Sequence, residues 1–111
     1  LARKKILINK KKKNIFAFCG IGFPGNFFNS LTDRGFNLVH SQIFGDHHNY
    51  RKYEIERILK IAKSKHLDVV TTEKDYVRLE EEYKKIIKYT KVEIQFDNKD
   101  QLLSFILKTI N

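Results

Sequence analysis

The sequence predicts an α/β fold: a small, mostly parallel sheet with helices on both faces, in a Rossmann-like three-layer arrangement. Short apolar runs alternate with segments of helical periodicity, in the order strand, helix, strand, helix, strand, helix, strand, helix. Such alternation is typical of parallel strands joined by right-handed helical crossovers. A chain of 111 residues is about the size of one ordinary domain, so we expect one domain with a short arm.

The first central strand is predicted at residues 15–19, an apolar run that ends at Gly20. Its mixture of β-branched, aromatic and small side chains suits a strand buried on both faces. A shorter apolar run at residues 6–8 precedes it, and two runs around a lysine-rich turn suggest a strand pair. We therefore divide the chain into a basic strand arm, residues 1–13, and an α/β domain, residues 14–111.

The later elements follow from periodicity and from turn residues. A short helix is predicted to begin near Pro24 and to end at Gly35. Apolar side chains repeat at helical spacing over residues 55–62, which predicts the most secure helix of the chain. The remaining predictions are strands at residues 38–44, 67–70 and 92–96, a charged helix with Val77, Leu79, Tyr83, Ile86 and Ile87 buried, and a final helix at residues 102–110.

The net charge of +9 is concentrated at the start of the chain. Residues 1–13 hold seven lysine or arginine residues and no acid, which leaves 15 basic and 13 acidic residues in the rest. A basic run without an aromatic platform is typical of a solvated arm, so no nucleic-acid partner is expected. The single cysteine, Cys19, lies in an apolar run, which predicts a buried thiol in a reducing, cytosolic environment. No apolar stretch approaches the roughly 20 residues that span a bilayer.

Three polar or glycine-rich loops follow the predicted strands. They comprise residues 20–25, 45–50 and 71–75. In parallel sheets of this kind, ligands bind at the edge formed by the carboxyl ends of the strands. The sequence therefore places the candidate site where these three loops lie.

The first loop matches the pattern G-x-G-x-x-G, from Gly20 to Gly25, after a strand and before a helix. Asp46 lies at about the right distance for a ribose contact, so a dinucleotide site is one alternative. Phe23 and Pro24 argue against it, because they put a bulky ring and a missing N–H where backbone amides would meet a pyrophosphate. A tight turn that needs glycine torsions explains the loop at least as well as a phosphate cradle does.

The second loop contains a carboxylate beside two imidazoles, Asp46, His47 and His48. Adjacent residues rarely converge on one ion, so no metal site is predicted. A carboxylate beside an imidazole can instead fix its tautomer, which suits a general base or the electrostatic partner of one. His40 and His66 have no such setting, and we expect them to be structural or surface residues.

The third loop, Thr71 to Asp75, ends a strand and begins a helix. Its hydroxyls and helix-end amides could hold an anion that Lys74 neutralises. The alternative is helix capping by Thr72 or Asp75, with a solvated lysine. The segment by itself does not decide between the two.

One family shows these three loops in the same order and spacing. The residues that carry the likeness are Ala17-Phe18-Cys19-Gly20-Ile21-Gly22-Phe23-Pro24 with Phe27-Phe28, Asp46-His47-His48 with Tyr50, and Thr71-Thr72-Glu73-Lys74-Asp75 with Val77-Arg78. Together they resemble the tetraacyldisaccharide 4'-kinase family, in its carboxy-terminal part. Two positions depart from the family pattern, since asparagine is common where Phe23 stands and a threonine or similar cap is usual near Arg51.

The resemblance implies a kinase of lipid A biosynthesis in a Gram-negative bacterium. Its members transfer the γ-phosphate of ATP to the 4'-hydroxyl of a tetraacyldisaccharide 1-phosphate, giving lipid IVA, at the cytoplasmic face of the inner membrane. ATP and Mg²⁺ are bound mainly by an amino-terminal P-loop domain. No G-x-x-x-x-G-K-[ST] pattern occurs in this sequence, and the first residue is leucine rather than methionine. We therefore expect a fragment that is soluble and inactive alone, with that domain and the lipid A precursor as partners.

The resemblance also implies roles for individual residues. The family's proposed dyad pairs an aspartate of the amino-terminal domain with a histidine of the smaller domain, and by motif this histidine is His47, oriented by Asp46. The residues expected to contact phosphate are Lys74, Thr72, Gly20 and Gly22. The alternative function is a non-catalytic α/β domain that binds a nucleotide or another anion.

Overall fold

The computed structural model describes residues 12–91, and every structural statement below refers to those residues. They form one sheet of four parallel strands with helices in the connections. The strands are β1 (Asn14–Cys19), β2 (Asn37–Ile43), β3 (Asp68–Thr72) and β4 (Lys88–Thr90), and they lie in the order β2-β1-β3-β4. The helices are α1 (Pro24–Asp33), α2 (Lys52–Lys65), α3 (Glu73–Tyr76) and α4 (Glu81–Lys84). The α/β class and the parallel sheet are confirmed.

Strand β1 is buried on both of its faces. Phe16 and Phe18 pack with α2 on one face, and the alternate residues, Ile15 and Ala17, pack with α1 on the other. Side chains of a strand point alternately to opposite sides of a sheet, so an apolar run without alternation can be satisfied only between two layers. The predicted arrangement with helices on both faces is therefore confirmed.

The two long helices begin without a side-chain cap. Phe23 and Arg51 occupy the N-cap positions, and neither supplies a side-chain cap hydrogen bond. At α2, Glu54 partly compensates, because its Oε1 accepts a hydrogen bond of 2.9 Å from the Arg51 N–H. Pro24 is the first residue of α1, as predicted, and Gly35 follows its end at a φ of 97° that favours glycine.

The prediction of one charged helix after β3 is wrong. The segment folds as two short helices, and Val77 and Ile86 are 63% and 59% exposed instead of buried. Glu80 interrupts the helix because its backbone is extended, with a ψ of 155°. The buried residues of the segment are Leu79, Tyr83 and Ile87, at a spacing of four residues, as one side of the predicted helix required.

Strand β4 is a further difference from the sequence prediction. It is only three residues long and mostly exposed, so it lacks the apolar alternation that marks a strand. The predicted strands at residues 6–8 and 92–96 and the predicted helix at residues 102–110 lie outside the described residues. Between residues 12 and 91, no helix has both the length and the hydropathy to cross a bilayer.

Candidate functional site

The three predicted loops meet at Gly20, which directly follows β1. The Gly20 N–H donates to both carboxylate oxygens of Asp75, at 3.1 and 3.0 Å, and the Gly20 carbonyl accepts from the His47 N–H at 3.1 Å. Gly20 belongs to the first loop, His47 to the second and Asp75 to the third. Because β1, β2 and β3 are parallel, all three loops leave the sheet at its carboxyl edge. This edge, formed by residues 20–25, 44–51 and 72–78, is called the rim below.

The centre of the rim is the carboxylate of Asp75, whose residue is only 1% exposed. Besides Gly20, its donors are the Tyr50 hydroxyl, 2.8 Å from Oδ1, and the Thr72 hydroxyl, 2.6 Å from Oδ2. The Asp75 N–H donates in turn to the Thr72 hydroxyl oxygen at 3.0 Å. A buried carboxylate is tolerated only when such bonds replace its hydration. Asp75 therefore joins the three loops from inside the domain.

The buried charge of Asp75 affects two neighbouring acidic groups. Burial, with the Asp75 charge as the second cause, raises the pKa of the Cys19 thiol to about 11. The same two causes, in the same order, raise the pKa of the Tyr50 phenol far above its usual range. Tyr50 therefore stays a neutral donor to Asp75, and Cys19 is a protonated, buried thiol, unsuited to act as a nucleophile.

Gly20 is required by close packing. A Cβ atom there would lie 2.8 Å from the Gly45 carbonyl oxygen and 3.1 Å from the Tyr50 hydroxyl. Its N–H, which a phosphate cradle would need, is directed at Asp75. Gly22 is exposed, and a Cβ there would lie 3.7 Å from Asp46 Oδ2. The glycine turn of the first loop, residues 20–25, therefore lies beside the second loop, which contains His47.

His47 presents its side chain to solvent at the rim, with 75% of it exposed. Its Nδ1 lies 2.8 Å from Nη2 of Arg78, a residue that was singled out in the sequence only as part of the family likeness. Its Nε2 lies 3.8 Å from Asp46 Oδ2, which is too long for a hydrogen bond. The backbone of His47 is left-handed, with a φ of 61°. The strongest side-chain partner of His47 is therefore Arg78 and not the adjacent carboxylate.

His48 is held differently from its neighbour. Its Nε2 lies 2.8 Å from Glu54 Oε1, and its ring stacks on Phe44 with the ring centroids 4.7 Å apart. Tyr50 lies edge-on to the same imidazole at 5.0 Å. These contacts explain His48 as a brace between the loop and α2. His47 is the histidine of the pair whose ring is free to meet a ligand.

The third loop shows the helix capping that its sequence offered as the alternative to an anion site. Thr72 is buried and caps α3, accepting from the Asp75 N–H, so the predicted capping is observed. Lys74 is exposed in the first turn of the same helix. Because the donors of Thr72 and Gly20 are directed at Asp75, Lys74 is the group of this loop that is open to an anion. Within the described part of the chain, no three histidine, cysteine or acidic side chains are grouped to hold a metal ion.

Comparison with known proteins identifies one family. The family model for tetraacyldisaccharide-1-P 4'-kinase matches residues 2–111. Curated proteins called tetraacyldisaccharide 4'-kinase from Rickettsia bellii (strain OSU 85-389) and Rickettsia typhi (strain ATCC VR-144 / Wilmington) are 39% and 40% identical over 98 residues. Each match covers 88% of this chain and 30% of the relative, so the chain spans about a third of the length of these relatives. No solved structure matches the chain.

Proposed function

The chain belongs to the tetraacyldisaccharide-1-P 4'-kinase family, and we propose that it forms the carboxy-terminal part of such an enzyme. The reaction moves the γ-phosphate of ATP to the 4'-hydroxyl of tetraacyldisaccharide 1-phosphate, which gives lipid IVA. The sequence contains no Walker A pattern, and the matched relatives are much longer than the matched region. We therefore assign most of the binding of ATP and Mg²⁺ to an amino-terminal P-loop domain, without which this part is inactive.

The observation that carries this proposal is the position of His47. Its ring is exposed at the carboxyl edge of a parallel sheet, beside the glycine turn, where ligands bind in such folds. A sugar hydroxyl is a poor nucleophile until a base accepts its proton as the new O–P bond forms. In phosphoryl transfer the protein acts mainly by positioning and by electrostatic stabilisation. We assign the base to an aspartate of the amino-terminal domain and its partner to His47.

Two further residues complete the proposed site. Lys74 is exposed in the third loop and carries a positive charge, so it is suited to contact a phosphate at the cleft between the two domains. Asp46 lies between Gly22 and His47 and places a negative charge 3.8 Å from Nε2 of the His47 ring. Gly20 and Thr72 donate hydrogen bonds to the buried carboxylate of Asp75 and so hold the loops that carry these groups. The lipid substrate places the reaction at the cytoplasmic face of the inner membrane, with the enzyme as a peripheral protein.

The test uses a complete kinase that carries this chain as its carboxy-terminal part. Transfer of ³²P from labelled ATP to tetraacyldisaccharide 1-phosphate is measured for the wild type, His47→Ala and His66→Ala. We expect His47→Ala to lower kcat by about 100-fold or more, the usual range for lost acid–base assistance, with little change in the KM for ATP. His66→Ala, the matched control, should retain full activity. Unchanged turnover of His47→Ala would remove the basis of the proposed role.

A further inference from the structure

We infer that Arg78 is a positioning residue that fixes the proton of the His47 ring on Nε2, so that an N–H faces out of the rim. This inference rests on the proposed function, because it assigns a chemical form to the same histidine. It concerns a residue that touches neither the sugar nor ATP in the proposed mechanism. Arg78 acts only through His47.

The hydrogen-bond chemistry of the pair carries the argument. Nη2 of Arg78 lies 2.8 Å from Nδ1 of His47, and Nη1 donates to the His48 carbonyl oxygen at 3.3 Å. A guanidinium group has N–H donors and no acceptor, and it stays charged in proteins. Nδ1 must therefore accept, and the proton of the neutral imidazole must lie on Nε2. With both contacts made, one guanidinium holds the His47 ring and the carbonyl group of the next residue.

Arg78 is itself held by the buried centre of the rim. Its N–H donates to the Asp75 carbonyl at 3.0 Å, in the turn that ends α3. The side chain of Asp75 is bonded to Gly20 and Tyr50, which belong to the other two loops. The segment from Asp75 to Arg78 therefore joins the three loops through the buried Asp75 carboxylate and also positions Arg78 beside the exposed ring of His47.

The backbone conformation of His47 agrees with a role for its side chain. Its φ of 61° lies in the left-handed region, which costs a residue with a side chain about 1 to 2 kcal/mol relative to glycine. The hydrogen bond to Arg78 needs the imidazole, and a glycine would not supply it. Strain of this kind is often found at functional sites, where surrounding contacts maintain it.

The consequence is that His47 acts as a hydrogen-bond donor and a carboxylate acts as the base. With Nδ1 occupied by Arg78 and the proton on Nε2, neither ring nitrogen has a lone pair free to accept the sugar proton. The ring instead donates a hydrogen bond from Nε2 to a carboxylate. In the proposed reaction that carboxylate takes the hydroxyl proton, while the sugar oxygen bonds to the γ-phosphorus and ADP leaves with the electrons of the broken bond. His47 orients the base and stabilises its charge.

The first test observes the proton directly. In a complete kinase labelled with ¹⁵N-histidine, the ring-nitrogen shifts distinguish a nitrogen that carries a proton from one that does not. We expect the wild type and Arg78→Lys, which keeps a donor, to show His47 with the proton on Nε2. Arg78→Glu replaces the donor with an acceptor and should move the proton to Nδ1. Arg57→Glu, the same charge change on the exposed face of α2, should leave the pattern unaltered.

The second test relates the tautomer to turnover. We expect Arg78→Glu to lower kcat by about 10- to 100-fold, the range typical for loss of an outer hydrogen-bond partner, with the KM for ATP unchanged. Arg78→Lys should recover most of the activity. If His47→Ala abolishes turnover but Arg78→Glu leaves the ring-nitrogen pattern unchanged, this inference is wrong and the proposed function survives. If Arg78→Glu moves the proton but His47→Ala is fully active, Arg78 sets the tautomer and the proposed role of His47 is wrong.

Discussion

The rim loop and the end of α2 each contain a histidine in the left-handed backbone region. His47 has a φ of 61° and His66 a φ of 58°, and they are the non-glycine residues with positive φ between residues 12 and 91. Both positions would be easier for glycine, by about 1 to 2 kcal/mol. The two residues therefore incur the same backbone cost, and the contacts that offset it differ.

At His66 the compensation comes from the backbone. Its N–H donates to the Lys63 carbonyl at 3.3 Å, and the Leu67 N–H donates to the Ala62 carbonyl at 2.8 Å, which is a Schellman motif. Leu67 is buried just beyond the helix and anchors the turn. The His66 side chain is exposed and has no hydrogen-bond or ion-pair partner among residues 12–91. The helix end needs the conformation and not the imidazole.

At His47 the backbone and the side chain are both engaged. The N–H donates to Gly20, and the ring is bonded to Arg78 and exposed to solvent. The strained position at the end of the helix has a structural explanation, whereas the strained position with a fixed, exposed imidazole matches the role proposed for His47. We therefore expect substitutions at the rim and at the end of α2 to differ in their effects on stability and on activity.

The largest effect is expected from removing the carboxylate that holds the rim together. Asp75→Ala removes the acceptor of the buried Gly20 N–H and Thr72 hydroxyl and of the partly buried Tyr50 hydroxyl, and we expect it to destabilise the domain by about 3 kcal/mol or more. Urea denaturation measures this loss, and amide exchange should accelerate in residues 45–50 more than at Leu67. Asp33→Ala, at an exposed acid, should change stability by less than about 0.5 kcal/mol. Equal losses in the two variants would contradict the role of Asp75.

A smaller loss is expected from closing the space where the loops meet. Gly20→Ala puts a Cβ 2.8 Å from the Gly45 carbonyl oxygen, and the forced shift should cost about 1 to 3 kcal/mol. Gly25 is the matched control because nothing lies within 4 Å of a Cβ there. Since it is inside α1, Gly25→Ala should instead stabilise the domain by about 0.5 to 1 kcal/mol. Thermal unfolding of both variants measures the two signs, and a stabilised Gly20→Ala protein would contradict this packing.

Glycine substitution sharpens the comparison of the two histidines. His47→Gly and His66→Gly should each leave stability unchanged or raise it by up to about 1 kcal/mol, because both relieve a left-handed backbone. Only His47→Gly should lower kinase activity in a complete enzyme. Parallel denaturation and phosphotransfer measurements check the pair. If His66→Gly lost activity as well, the effect of His47→Gly would not reflect a special role of the rim histidine.

The smallest effect is expected in the pH dependence of stability, through the contact of Glu54 with His48 beside His47. The Arg51 N–H, and next the contact with His48, hold the pKa of Glu54 below its usual value against the opposing effect of burial. A depressed folded-state pKa stabilises the fold above the unfolded-state pKa and loses this effect as pH falls through the folded value. Glu54→Gln should therefore be less stable by under about 1 kcal/mol at pH 7, and the difference should shrink as the pH falls below about 4.3 and vanish once Glu54 is protonated in the folded state. Glu82→Gln, exposed on α4, serves as control, and a difference from wild type that persists at low pH would contradict the electrostatic explanation.

The sequence predicted the elements whose signal is local. Strand β1 is an uninterrupted apolar run and was predicted within one residue of its observed bounds, and α2 repeats its buried residues at helical spacing, so its central part, residues 55–62, was predicted. The charged helix failed because its buried positions satisfy one helical face while Glu80 breaks the backbone between them. Periodicity records which residues are buried and does not record an interruption between them.

The candidate site was predicted as three loops, and their meeting at Gly20 is observed. The role of Asp75 was predicted only as a cap, because its contact with Gly20 spans 55 residues and leaves no local pattern. Arg78 was missed as a partner of His47 for the same reason, since the two residues are 31 positions apart. Contacts of this separation depend on the register of the sheet, which a single sequence does not specify.

The most direct test of the account is a crystal structure of a complete kinase with the tetraacyldisaccharide substrate and an ATP analogue bound. The measured quantity is the distance from His47 Nε2 to the carboxylate that faces the 4'-hydroxyl. We predict about 3 Å, a hydrogen bond donated across the cleft, with Arg78 still on Nδ1. A His47 ring turned away from the bound sugar, on the opposite side of the domain from the glycine turn, would contradict the account.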